Sequence, residues 1–309
     1  MAHSTPLTTT FPSWIVHSCM VLAATLVATS FVVGKIITPF LDPAVLTLIR
    51  FFLASAFFIP YVGLRYGIRL PDWQALGRYS LISGALVGFF WMMFLSLRIT
   101  TPLNTSVIFT TVPGISGCYS WFLLRERLGR HRLFALLFAM TGAIWVLCEG
   151  DVHKLQALSF NQGDVYFFIA CLLMAFYTPL VKLLHRGEPM AVMTLWIMIT
   201  GCVWLLLFNI PKLPTISWHT VPLVVWLGIG YLALFTTIIT FFISQWATLE
   251  IGPTRVMAYS YLYPPIIVLI EWALYQTYPD TQTLLGIVII LFAMIIVQKN
   301  KSIHLQRVN

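Results

Sequence analysis

The sequence is poor in charge. Only 28 of its 309 residues are ionised at neutral pH, 18 basic and 10 acidic, a share of 9% where soluble domains carry roughly 25%. That scarcity excludes a water-facing globular surface. Long polar connections are lacking too, since the longest one between apolar segments runs only from residue 149 to residue 162. A signalling or scaffold protein with a soluble domain therefore does not fit. Cysteine is scarce, and its five instances, Cys19, Cys118, Cys148, Cys171 and Cys202, lie inside apolar segments without C-x-x-C spacing. This pattern reads as buried, inert thiols. No histidine pair has metal-ligand spacing, and neither a G-x-x-x-x-G-K-[ST] loop nor a G-x-S-x-G elbow occurs. The chain is accordingly expected to hold no metal and no cofactor and not to be an enzyme. The net charge of +8 forms no dense basic run, so no nucleic-acid partner is expected either. The tripeptide Asn104-Thr105-Ser106 fits a glycosylation sequon, but it opens an apolar span and lies too close to a bilayer for a glycan.

What is abundant is apolar surface: 59% of residues are hydrophobic and 15% aromatic. A bilayer core about 30 Å thick needs roughly 20 apolar residues per helical crossing. Reading apolar windows against turn and charge signals predicts ten spans. The first five are 14 to 34, 43 to 64, 75 to 97, 101 to 124 and 131 to 149. The second five are 163 to 184, 190 to 210, 220 to 247, 253 to 275 and 281 to 298. Residues 1 to 13 carry no lysine or arginine and lead into the first apolar segment without a small-residue cleavage signature. That segment is read as a first membrane helix rather than a signal peptide.

Lysine and arginine at or beyond the span ends divide thirteen to four between the two faces. Cytoplasmic loops are enriched in both residues, so both termini are expected in the cytoplasm of a cell whose inner membrane the chain crosses ten times.

The halves also resemble each other. An offset of 151 residues aligns Pro102 with Pro253, Pro113 with Pro264 and Trp91 with Phe242. Near the start of each half, an offset of 147 aligns the stretch from Ala28 to Lys35 with that from Ala175 to Lys182. Five spans is an odd number, so the second copy is expected upside down relative to the first. The expected fold is an all-α membrane protein of ten transmembrane helices in two inverted five-helix repeats, an arrangement that many secondary transporters share.

At these positions the chain resembles the drug/metabolite transporter superfamily, specifically its EamA-type ten-helix members. The resemblance is carried by TSVIFTTVPGISGCYSWFLLRERL at 105 to 128 and the following FALLFAMTGAIWVL. In the second half it rests on GPTRVMAYSYLYPPIIVLIEWAL and on Gly163-Asp164, which matches a dipeptide that often opens the sixth helix. It covers residues 15 to 148 and 161 to 297. The family's glutamate stands at Glu126, while the aligned second-half position is Thr277. The resemblance implies a secondary carrier, often an exporter of amino acids, metabolites or drugs, with a cavity lined by helices 1, 3, 4, 6, 8 and 9.

Several residues carry alternatives. A charge inside a span is costly, and away from the span ends the two that remain are Arg50 and Glu271. Arg50 suits either an anionic substrate group or a structural role, by pairing or by snorkelling to the interface. Glu271, beside Trp272 and Tyr275, suits either proton coupling or an interfacial aromatic belt. Glu126 reads as part of an ion-pair cluster, and Asp164 as a helix-start residue complementing the dipole. Pro113 and Pro264 suit gating bends or static kinks. Ser80, Gly84 and Gly88 form a small-residue stripe on helix 3, opposite bulky Tyr231, Phe235 and Ile239 in the aligned helix 8. The candidate substrate-binding residues are Thr25, Thr29, Trp91, Thr110, Tyr177, Thr237, Thr240 and Tyr259. They offer hydroxyls and rings with almost no charge, which suits a neutral, zwitterionic or amphipathic organic molecule.

The expected function is transport of a small organic metabolite, amino acid or drug-like compound, outward and by alternating access. Its partners are the lipid bilayer and a small-molecule substrate. Protons are a candidate coupling ion, with exchange and facilitated diffusion equally compatible. The competing reading, a membrane-embedded enzyme acting on a lipid or isoprenoid, would need clustered acidic, histidine or cysteine residues. The histidines His131, His185 and His219 are scattered.

Overall fold

The computed structural model describes residues 12–125, 130–147, 161–251, 253–276 and 278–299. Among them there is no strand. The helices are α1 (Ser13–Ile37), α2 (Pro43–Tyr66), α3 (Trp73–Leu97), α4 (Pro102–Phe109), α5 (Val112–Leu124) and α6 (Arg130–Leu147). They continue as α7 (Gln162–Leu184), α8 (Met190–Asn209), α9 (Leu223–Ala233), α10 (Thr240–Ile251), α11 (Pro253–Ala258), α12 (Tyr263–Tyr275) and α13 (Thr281–Lys299). Eight stretches are long and apolar enough to cross a membrane, and α6 and α13 contain shorter apolar segments, Leu137–Val146 and Thr281–Ile296.

The helix starts follow from local chemistry. Orphan N–H groups at a helix start need acceptors, and Asp42 takes the N–H of Ala44 at 2.9 Å, Asp72 that of Ala75 at 2.7 Å and Thr101 that of Asn104 at 3.1 Å. Asn161 and Asp164 form a reciprocal capping box. Pro43, Pro102 and Pro253 open their helices, where the missing N–H costs nothing.

Three spans are interrupted. Between α4 and α5 the break falls at Thr110 and Thr111, and between α11 and α12 a 3-10 turn covers Tyr259–Leu262. Pro113 and Pro264 sit at the second position of α5 and α12 respectively, directly after each break. Both of these helices have thirteen residues, and both are closed by a residue with positive φ, Arg125 at 54° and Gln276 at 53°. The prolines therefore start new helices rather than bending continuous ones as the sequence suggested, because each ring denies the preceding turn a hydrogen bond. The third interruption is a π-helical segment, Leu234–Ile239, which joins α9 to α10.

Packing couples the two halves. Helix α3 lies on α7 and α8, α5 on α7, α1 on α10 and α12, and α9 on α2. Two further pairs are α2 with α8 and α6 with α13. At the centre, Phe31, Phe89, Phe109 and Phe167 interlock edge to face, with centroids 5.8 to 6.4 Å apart. They fill the space between α1, α3, α4 and α7.

Two expectations need correction. Of the stripe on α3, a Cβ at Gly88 would lie 2.7 Å from Leu173 of α7, whereas Gly84 faces open space. On α9 the bulk of Tyr231 is bypassed by Gly228, whose Cβ would lie 2.7 Å from Ile37 of α1. Both helices thus gain close approach from one glycine, set at different positions. The second correction concerns the thiols: Cys171 is buried, but Cys118 is exposed. Cys148 and Glu126 lie outside the described residues.

Candidate functional site

Among the candidate substrate-binding threonines, most satisfy their hydroxyls on the preceding turn of their own helix, as threonine in an apolar helix tends to. Thr25 donates to Val21 O at 2.9 Å, Thr110 to Val107 O at 2.6 Å and Thr240 to Thr236 O at 2.9 Å. Thr29 donates to Leu26 O at 2.7 Å and also lies 2.6 Å from the Tyr231 hydroxyl of α9. Trp91 is exposed. Tyr177 packs beside the α3 and α8 residues around Ile82 and Met193. Tyr259 is buried and its hydroxyl makes a short hydrogen bond with His17 of α1. Of these residues, Thr29 and Tyr259 each meet a side chain of another helix, Tyr231 and His17.

The strongest convergence is around Arg50. Its side chain is only 2% exposed, although it lies within α2. Nε donates to Thr237 Oγ1 at 3.2 Å, while Nη2 donates to Thr236 Oγ1 at 3.2 Å and Thr237 Oγ1 at 3.1 Å. The guanidinium carbon stands 4.2 Å from the centroid of Phe90 on α3, within cation–π range. Nη1 is buried with no hydrogen-bond partner. Both threonines belong to the π-helical segment, and their own hydroxyl protons go to Leu232 O at 2.9 Å. Each oxygen is thereby held as an acceptor towards the guanidinium. The widened π turn, a feature frequent at functional sites, presents two successive hydroxyls to one cation.

A second buried charge has the opposite character. Asp164, 5% exposed, accepts from Thr100 Oγ1 in a short hydrogen bond, from Asn104 Nδ2 at 3.3 Å and from the backbone N–H of Asn161 at 3.3 Å. Asn161 Nδ2 reaches Thr100 Oγ1 at 3.2 Å. Lys35 donates to Thr100 O at 2.9 Å, and Arg98 donates to the carbonyls of Thr38 and Leu41 at 3.0 and 2.9 Å. This network ties the ends of α1 and α3 to the starts of α4 and α7. A Cβ on Gly163 would lie 2.9 Å from Thr100 N, so the glycine admits the close approach.

Glu271 is half-exposed on α12 beside exposed Trp272 and Tyr275. It does not meet Arg50, and no hydrogen bond or ion pair joins it to another described residue. Sequence reasoning missed Thr236, Phe90, Tyr231 and His17. Only His17 carried a visible signal, an ionisable ring inside an apolar span.

Crossing helices, broken spans and buried charges that are tied across the two halves define a multi-pass α-helical membrane protein. A family model for the EamA-like transporter family matches residues 14–148 and 161–298. The chain belongs to that family. A relative described as "Uncharacterized transporter YyaM", from Bacillus subtilis (strain 168), is 23% identical over 247 residues, 79% of this chain and 81% of its own. An "Uncharacterized transporter" of Archaeoglobus fulgidus is 24% identical over 277 residues, 87% of this chain and 92% of its own. A solved crystal structure superposes with a TM-score of 0.62 at 20% identity over 91% of this chain and 96% of that one, a likeness of fold.

Proposed function

We propose that the chain is a secondary carrier of ten membrane helices in two inverted five-helix repeats, spanning 15–148 and 161–297. It moves a small organic metabolite, amino acid or drug-like compound outward by alternating access. The observation that carries this reading is the matched pair of breaks. Helices α5 and α12 share length, proline position and left-handed end at a constant offset of 151 residues. Packing adds support: α3 on α7 has its counterpart in α10 on α1, and α5 on α7 in α12 on α1. Two such interfaces, exchanged by an inverted repeat, give a carrier two gates that open in turn.

In this reading both termini are cytoplasmic and the membrane is the inner membrane. The Asp164 network closes the outer gate, and the His17–Tyr259 bond lies in the inner one. Pro113 and Pro264 set the breaks about which α4–α5 and α11–α12 move. Thr25, Thr29, Trp91, Thr110, Tyr177, Thr237, Thr240 and Tyr259 line the substrate path at successive levels. Glu271 is the candidate proton carrier.

Metabolite profiling of medium and cytosol from deletion and overexpression strains tests export. The expected result is a compound whose distribution shifts in opposite directions in the two strains. No shift across a broad panel would contradict it.

A further inference from the structure

Arg50 is a buried cation whose surroundings stop short of neutralising it. No carboxylate among the described residues pairs with it. Its acceptors are two neutral hydroxyls and the face of Phe90. A guanidinium offers five N–H donors in a planar fork that fits a carboxylate, and here both hydrogens on Nη1 have no acceptor. An uncompensated charge of this kind is costly to bury. We propose that the missing partner is the carboxylate of the transported molecule, held by Arg50 through Nη1.

This inference rests on the carrier reading above and adds the substrate class. The geometry selects among anions. One cation with one vacant nitrogen matches a single carboxylate, whereas a phosphate dianion would call for more positive charge. Phe90 faces the guanidinium and heads a cluster of rings: Phe51 stands edge-on to Phe90 at 5.5 Å, and Phe89 lies at 4.9 Å from Phe90. They suit an apolar body attached to the acid. Thr237 and Phe90, which touch the guanidinium, keep solvent-accessible surface although Arg50 does not. Because Thr236 and Thr237 are fixed as acceptors by Leu232 O, they orient the fork before the substrate arrives. The substrates are therefore small organic acids or zwitterions with an apolar side.

The test uses the purified full-length chain. Thermal unfolding is followed with acetate, benzoate, phenylalanine, leucine and a broad panel of further organic acids, each against its methyl ester, and with chloride and inorganic phosphate alone. Uptake of the same compounds is measured in proteoliposomes. The expected result is that at least one carboxylate stabilises the protein and enters proteoliposomes faster than protein-free liposomes, while its ester shows neither the stabilisation nor the protein-dependent uptake. Arg50→Gln is expected to abolish both effects, and Arg50→Lys, which keeps charge but loses the fork, to weaken binding about tenfold or more. Esters acting as well as acids, stabilisation by chloride or phosphate alone, or no stabilisation by any acid would each overturn the anchor. The acid-against-ester comparison on the parent stands even if a variant fails to fold. Acids carried normally by Arg50→Gln would remove the anchor and leave the carrier, whereas no flux of any compound would remove the carrier reading itself.

Discussion

Asp164 and Arg50 are both charges buried in apolar helices, yet their surroundings differ. Around the aspartate, Thr100, Asn104 and the capping turn of α7 supply donors to both oxygens. The arginine keeps one nitrogen empty and has only neutral acceptors. A saturated charge acts as a clasp, because the bonds from Thr100 and Asn104 join separate elements and losing the centre strands several donors. An unsaturated charge holds the fold less and leaves a donor for a partner from outside the chain.

The sharpest way to break this contrast is Asp164→Ala. It leaves the Thr100 hydroxyl, the Asn104 amide and a helix-start N–H without their acceptor, and is expected to cost about 3 kcal/mol of stability. A fall in thermal midpoint in detergent reads it. Thr100→Val removes one donor from the same centre and is expected to cost roughly 1.5 kcal/mol, measured the same way. Arg50→Met removes the unsaturated charge without orphaning a donor, since Thr236 and Thr237 remain bonded to Leu232 O. Its stability is expected to stay within about 1 kcal/mol of the parent or to rise.

The smallest effect belongs to an exposed ion pair. Lys212 Nζ lies 3.0 Å from Asp42 Oδ2, with side chains 53% and 33% exposed. Partial burial on its own would raise the Asp42 pKa, but the bond from Lys212, the Ala44 N–H and the lysine's charge outweigh it and hold it below its usual value. A carboxylate whose folded pKa is depressed adds stability above its unfolded value near pH 4, and that contribution is lost as pH falls through the lower folded value. The pair is expected to contribute about 0.5 kcal/mol at neutral pH. Asp42→Asn should therefore fall slightly short of the parent at neutral pH and converge on it as the solution is acidified through the lowered folded value, as read by unfolding across that range.

Much of the fold was legible in residues that act locally. Pro43, Pro102 and Pro253 open helices, Asp42 and Asp72 cap them, and apolar length marks the spans. The span ends fall within a few residues of expectation because caps and prolines are short-range signals. The π segment at Leu234–Ile239 was not legible, since 220 to 247 is uniformly apolar and periodicity gives no sign of a widened turn there. The site was partly legible. Arg50 and Thr237 stood out separately as a charge and a hydroxyl inside spans, but their pairing joins residues 187 apart in sequence. Thr236 and Phe90 gave no signal of their own, because polar threonines and apolar rings are common throughout the chain. Asp164 was read through the helix dipole alone; its chief partner, Thr100, comes from the turn between α3 and α4.

The contrast between clasp and site is tested most directly by one pair of melting curves on purified Arg50→Met, with and without a carboxylate that stabilises the parent. The expected result is a midpoint close to or above that of the parent and no shift on adding the acid. A midpoint lowered as far as that of Asp164→Ala, with the acid-dependent shift intact, would contradict it.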